Sequence, residues 1–313
     1  MLAPARSAAL ATFSVVAGAV ALTKGYEWLL RRGAGTPKGL LDSRGIHLWL
    51  GFLSGSLALW IAIMVAGVRA LRALANDRAG GIGRIDAFRL GWYIASYVAL
   101  LGVAVLTGDL FGLAPPVPIA DWQFLGAIPV MIGAICAAPW IFLVWRSLDH
   151  LQSIRHRYSP PRATPVRGDV ETLVDIWRVM ERSVGALAVI LANSVVGVAL
   201  LRAALVPRYV KEDAFPTSQL IVFGALYTFL VAFVCVPLMM TWRAVAIRLV
   251  DAAVPLPDSG VPDETVTASR ARIAALLNLD RRFVRSPVAV VAVLAPFVSA
   301  LLSTYAETLV GPR

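Results

Sequence analysis

The sequence carries little charge, and least of it where apolar residues are densest. Of 313 residues only 15% are Asp, Glu, Lys or Arg, while 58% are hydrophobic. Soluble domains hold about 25% charged and about 45–50% apolar residues. A mean hydropathy of +0.74 points the same way. Histidine is scarce: His47, His150 and His156 are too scattered to hold a haem or a metal. The two cysteines, Cys136 and Cys235, lie deep in apolar stretches. With no Cys-x-x-Cys pair, a zinc knuckle or dithiol motif is excluded, and both read as small hydrophobes of the interior. Gly80, Gly81 and Gly83 have no strand before them and no Gly-Lys-Ser/Thr after them, so they form no phosphate loop. No cofactor and no metal are expected.

What is present is a series of long apolar segments. A hydrocarbon core of about 30 Å takes roughly 20 apolar residues as helix. Seven segments qualify, at about 8–30, 46–68, 88–113, 123–145, 183–205, 218–242 and 287–306. They are too long and too continuously apolar for barrel strands, and only helices or closed barrels satisfy their backbone in lipid. The expected fold is an all-α polytopic membrane bundle of about seven spans, one N-terminal helix followed by three hairpins, forming a single integral membrane domain over 1–313. The first segment opens like a signal peptide, with Arg6 ahead of small apolar residues. A retained helix is expected, because Tyr26, Trp28, Leu29 and Leu30 extend it. Lys24 and Glu27 are spaced to pair on one face. Trp28, Trp49, Trp92, Trp122, Trp140, Trp145 and Trp242 fall near segment ends, where amphipathic rings prefer to sit. Trp60, in mid-segment, is the exception.

The formal net charge of +10 is distributed unevenly. The gaps at 69–89, 146–182 and 243–286 hold 5, 7 and 7 Arg or Lys residues, which is the positive-inside pattern rather than a nucleic-acid surface. The N-terminus and these loops are therefore expected in the cytoplasm and the C-terminus outside, in a cell membrane. Arg31, Arg32, Lys38 and Arg44 run against that assignment. Arg outnumbers Lys 26 to 3, the bias of a GC-rich, bacterial genome. Basic runs such as Arg155-His156-Arg157 suit anionic lipid headgroups. The gaps 146–182 and 243–286 read as cytoplasmic helical loops. In the first, Asp169 is placed to cap a helix with Val170, Leu173, Val174, Trp177 and Met180 on one face. In the second, Asp263 caps a helix with Val266, Ile273, Leu276, Leu277 and Val284 on one face. Trp145-Arg146 and Trp242-Arg243 open these two gaps alike, which suggests a weak internal repeat.

Residues able to carry function inside the bilayer are few. The fourth to seventh segments hold no ionisable group in their central turns, which argues against proton relays and most intramembrane enzymes. Asp109, at the end of the third segment, is a candidate outer-mouth carboxylate beside Asp121, with a solvated helix end as the plainer reading. Asn193 and Ser194 lie mid-way in the fifth segment as a pore lining or, preferably, an interhelical hydrogen bond. Gly51 and Gly55 form a Gly-x-x-x-Gly pair suited to close helix packing. Pro129, Pro139, Pro237 and Pro296 are placed to kink their helices. Three functions remain, in order: a non-catalytic interaction or effector subunit acting through cytoplasmic helices, with a protein partner or a second copy; an ion channel or transporter; and a membrane enzyme acting on lipid.

Overall fold

The computed structural model describes residues 3–32, 37, 39–76, 87–110, 117–119, 122–158, 167–206, 208–257, 263–277, 279 and 294–302. Among them every regular element is a helix. The helices are α1 (Ala3–Arg32), α2 (Arg44–Asn76), α3 (Ala87–Leu110), α4 (Trp122–Arg157), α5 (Arg167–Leu205), α6 (Ser218–Ala253) and α7 (Glu264–Leu276). A short 3-10 turn at Glu212–Ala214 precedes α6, and residues 294–302 form a further helix, α8.

Five helices, α2 to α6, contain segments long and apolar enough to cross a membrane. Seven were expected. Helix α1 covers the first predicted segment but is not one of the five. Its C-terminal part carries an ion-pair chain in which Glu27 accepts from Lys24 at 2.8 Å and from Arg31 at 3.0 Å. The Lys24–Glu27 pairing thus forms as its spacing predicts. Of the seventh predicted segment only the part in α8 lies within the described residues.

Helix packing fixes two ends of the bundle. At the end called upper here, Tyr26 of α1 meets Trp49 of α2 with ring centroids 6.0 Å apart, and Trp49 meets Trp122 of α4 at 6.4 Å. Gly45 opens α2 so close to Ala204 near the end of α5 that a Cβ there would lie 2.9 Å from the Ala204 Cβ. At the lower end Trp242 of α6 donates through Nε1 to the carbonyl of Leu173 at 2.8 Å, and its ring centroid lies 4.7 Å from that of Trp177. Helices α2, α4 and α6 therefore descend while α5 ascends.

The lower ends run on well past the predicted segments. Helices α4, α5 and α6 have 36, 39 and 36 residues, where about 20 span a hydrocarbon core. Leu143, Leu151, Ile154, Leu173, Leu238 and Leu249 are fully buried there. These side chains recur at helical spacing, so the apolar stripe continues beyond the most hydrophobic stretch and extends the bundle with it. The helix expected over 169–182 is the first part of α5.

Two local expectations are corrected. Asp169 is not the cap of α5, which begins at Arg167. Its buried carboxylate instead accepts from the Tyr158 hydroxyl at 2.8 Å and pairs with Arg157 at 2.8 Å, tying the end of α4 to the start of α5. The stripe expected on α7 is covered only in part: α7 itself buries no residue and Leu276 is 58% exposed, while Ile273 is half-buried against the core and Leu277, just beyond the helix, is buried. Val284 lies outside the described residues. The N-cap of α7 does form, Asp263 accepting from the Val266 N–H at 2.8 Å. Arg202, near the end of α5, is buried, donating from Nε to the Phe215 carbonyl at 2.7 Å and from Nη2 to Glu212 at 3.4 Å. A guanidinium at a helix C-terminus finds carbonyls and the negative end of the dipole there.

Candidate functional site

The upper half of the bundle encloses a cavity of about 790 Å³. Its wall draws on α1, α2, α4, α5 and α6, with Val117 and Ile119 ahead of α4. The space has a local cause. Ser56, Asn193, Ser194 and Gly197 present short side chains or none from facing helices, α2 and α5. Large rings stand around them: Trp49, Phe52, Trp60, Trp122, Phe223 and Tyr227. The phenyl ring of Phe52 lies 3.7 Å from where a Gly197 side chain would begin, so the ring rests on bare backbone.

Among the described residues, no Asp, Glu, Lys, Arg or His belongs to the wall. Its polar groups are uncharged, and three of them lack partners. Tyr26 and Ser56 are each 5% exposed and Trp60 is 3% exposed. The Tyr26 Oη, the Ser56 Oγ and the Trp60 Nε1 have no hydrogen-bond partner and almost no accessible surface. An unsatisfied buried donor costs about 1–3 kcal/mol. Ser194 is satisfied within its own helix, donating to the Ile190 carbonyl at 2.9 Å.

The floor is closed. Trp140 donates from Nε1 to the Ile63 carbonyl at 3.0 Å, its indole against Gly67. Cys136, Leu187, Ile190 and Val231 are buried at the same level. Along α2 the wall runs from Trp49 to Trp60, about 16 Å at ~1.5 Å per residue. The cavity is thus ringed by aromatics, backed by packed side chains below, and open at the side where Phe124 and Val130 are exposed. Neither wall serine has a base beside it, and no cluster of His, Cys, Asp or Glu fit for a metal occurs among the described residues.

The residues singled out from the sequence separate in space. Asn193 lines the cavity. Asp109 falls in the last turn of α3, its side chain outside the described residues, as is Asp121. Among the described residues, a side chain at Gly51 or Gly55 would meet nothing within 4 Å. Close packing is made instead at Gly224, where a Cβ would stand 2.7 Å from the Ala300 Cβ and 2.9 Å from the Pro296 carbonyl. Pro296 is thereby placed on α8 against α6. Pro237 lines a separate groove in the lower half, and Pro129 lines the cavity. The sequence reading placed Tyr26 only as part of the first helix and pointed neither it nor Ser56 to a site. Trp60 carried a signal, as the one tryptophan placed in mid-segment.

Comparisons with known protein families, with curated proteins and with solved structures gave no match. The class rests on the fold itself: among the described residues every regular element is a helix and five helices have membrane-crossing length and composition, which is compatible with a membrane protein.

Proposed function

We propose that the chain is a non-catalytic, multi-pass membrane protein that binds one uncharged, largely apolar small molecule in the upper half of its bundle. The observation that carries this is the aromatic cavity whose described wall residues include no charged side chain. Ligand sites are concave and mostly apolar, about 300–1,000 Å³, with a few polar groups that fix orientation. With no cation among the described wall residues, an anionic ligand would be desolvated without compensation.

The effector reading supplies the output. In the proposed orientation the long lower ends of α4, α5 and α6 reach into the cytoplasm and offer a partner their flanks. A conducting path is less well supported. It would have to pass the apolar floor at Cys136, Trp140, Ile190 and Val231, all of them buried.

The test is to purify the protein in a mild neutral detergent, extract it with organic solvent and identify bound small molecules by mass spectrometry. A neutral compound near one per chain, depleted in Val198→Phe, is the expected result. Ligand content identical in the two proteins would refute the assignment.

A further inference from the structure

A second concavity lies in the lower half, between α3, α4 and α6, and it differs in kind. Its volume is about 1,330 Å³. At one end stand Arg89 of α3 and Arg146 of α4, beside Gln152 and Ser153. The carboxylate of Asp149 lies among them and accepts from the Tyr93 hydroxyl, an α3–α4 bond. Among the described residues, two guanidiniums, exposed Arg89 and buried Arg146, stand against one carboxylate at this end. At the other end the wall is apolar: Leu100 and Val103 of α3, Phe233, Val234 and Pro237 of α6. Arg89 and Val103 are about 21 Å apart along α3 at ~1.5 Å per residue. One leaflet, a headgroup layer plus half of a core about 30 Å thick, has nearly that depth. Helix α3 leaves the groove open to the surroundings, with Phe88 81%, Trp92 67% and Val103 58% exposed.

We propose that this groove holds one anionic phospholipid of the lower leaflet, its phosphate between Arg89 and Arg146 and an acyl chain along α3 and α6. Guanidinium groups match phosphate oxygens with paired, charge-assisted hydrogen bonds. The apolar slope suits a chain and not a soluble phosphate ester. The tryptophans at the charged end, Trp92 and Trp145, sit at the level where indoles favour the headgroup boundary. The inference rests on the membrane reading and not on the upper cavity.

The experiment compares phosphatidylglycerol with phosphatidylcholine retained by the purified full chain, read by native mass spectrometry from mixed micelles. The protein is first shown to resist alkaline carbonate extraction; release by carbonate would overturn the membrane reading itself and this site with it. The wild type is expected to retain phosphatidylglycerol in preference. Arg89→Gln lowers that retention about fivefold, the effect of one basic residue near an anionic lipid, and Val103→Trp, which blocks the chain path, lowers it further. Arg178→Gln, exposed on α5 and outside the groove wall, leaves it unchanged. Equal retention of the two lipids by a membrane-integrated protein, or equal losses in Arg89→Gln and Arg178→Gln, would overturn the groove while leaving the membrane reading intact. Displacement of the lipid by millimolar inorganic phosphate would reassign the site to a soluble phosphate compound and overturn the lipid.

Discussion

The two halves of the bundle use the same helices to opposite ends. Below the level of Trp140, helices α4, α5 and α6 interlock through fully buried leucines, isoleucines and valines. Above it, α2 and α5 face each other with short side chains or none, and about 790 Å³ is left between them and α1, α4 and α6. Both halves bond between elements, Tyr158 to Asp169 and Trp242 to Leu173 below, Arg202 to Phe215 above, and both bury hydroxyls without partners, Ser147 and Ser183 below, Tyr26 and Ser56 above. Protein interiors pack about as densely as organic crystals, so what sets the upper half apart is the aromatic-lined space left between its helices.

The contrast predicts opposite responses to changes of volume. The largest effect belongs below. Leu173→Ala empties a fully buried position and is expected to lower stability by about 2–5 kcal/mol, measured as unfolding in a fixed detergent. Next comes Tyr158→Phe, which removes the hydroxyl bonded to the buried Asp169 carboxylate. A hydrogen bond to a charged group contributes about 1.5–3 kcal/mol, and the same unfolding assay should register a loss of that order. Above, enlarging a side chain should do little harm. Val198→Phe adds a ring to the cavity and is expected to cost less than the ~1–3 kcal/mol of overpacking a filled core. A cost in or above that range would mean that the upper half is no more yielding than the lower.

The smallest effect lies at α7, which buries no side chain. The Val266 N–H and the Thr265 hydroxyl, both donating to Asp263, hold its carboxyl below the usual carboxylate range. A carboxylate with a lowered pKa favours the folded form at every pH above its unfolded value, and that contribution is lost as the pH falls through the lowered value. Amide protection across α7, corrected for intrinsic exchange, should therefore be constant near neutrality and fall only in acid. Asp263→Ala should lower it at neutral pH and remove the acid step. An acid step that survives in Asp263→Ala would place the titrating group elsewhere.

Much of this was legible in the sequence because hydrophobic length is a strong signal. Five of the seven expected apolar segments correspond to helices able to cross a membrane, and the Asp263 cap and the Lys24–Glu27 pair form as their spacing implies. The lower extensions were misjudged in their ends: Leu151 and Ile154 continue the α4 stripe after Arg146, and charge at the stripe's back reads as a loop until the packing partner is known. Asp169 looked like a cap because acids at helix starts usually are, whereas its partners Arg157 and Tyr158 belong to the preceding helix. Gly51 and Gly55 matched a packing motif, but a motif states what a helix permits and not which face its neighbours occupy. The cavity was least legible. Small residues on separate helices become a void only when α2 and α5 bring Ser56, Asn193 and Gly197 to face one another, and period alone does not set that register.

The central claim, that the upper half is a ligand site, is tested most directly by titrating the purified protein with the neutral fluorophore 1-aminoanthracene, beside Val198→Phe at equal detergent. The account predicts a saturable, one-to-one rise in emission for the wild type and only the linear partition of an empty micelle for Val198→Phe. The same saturable rise in both proteins would contradict it.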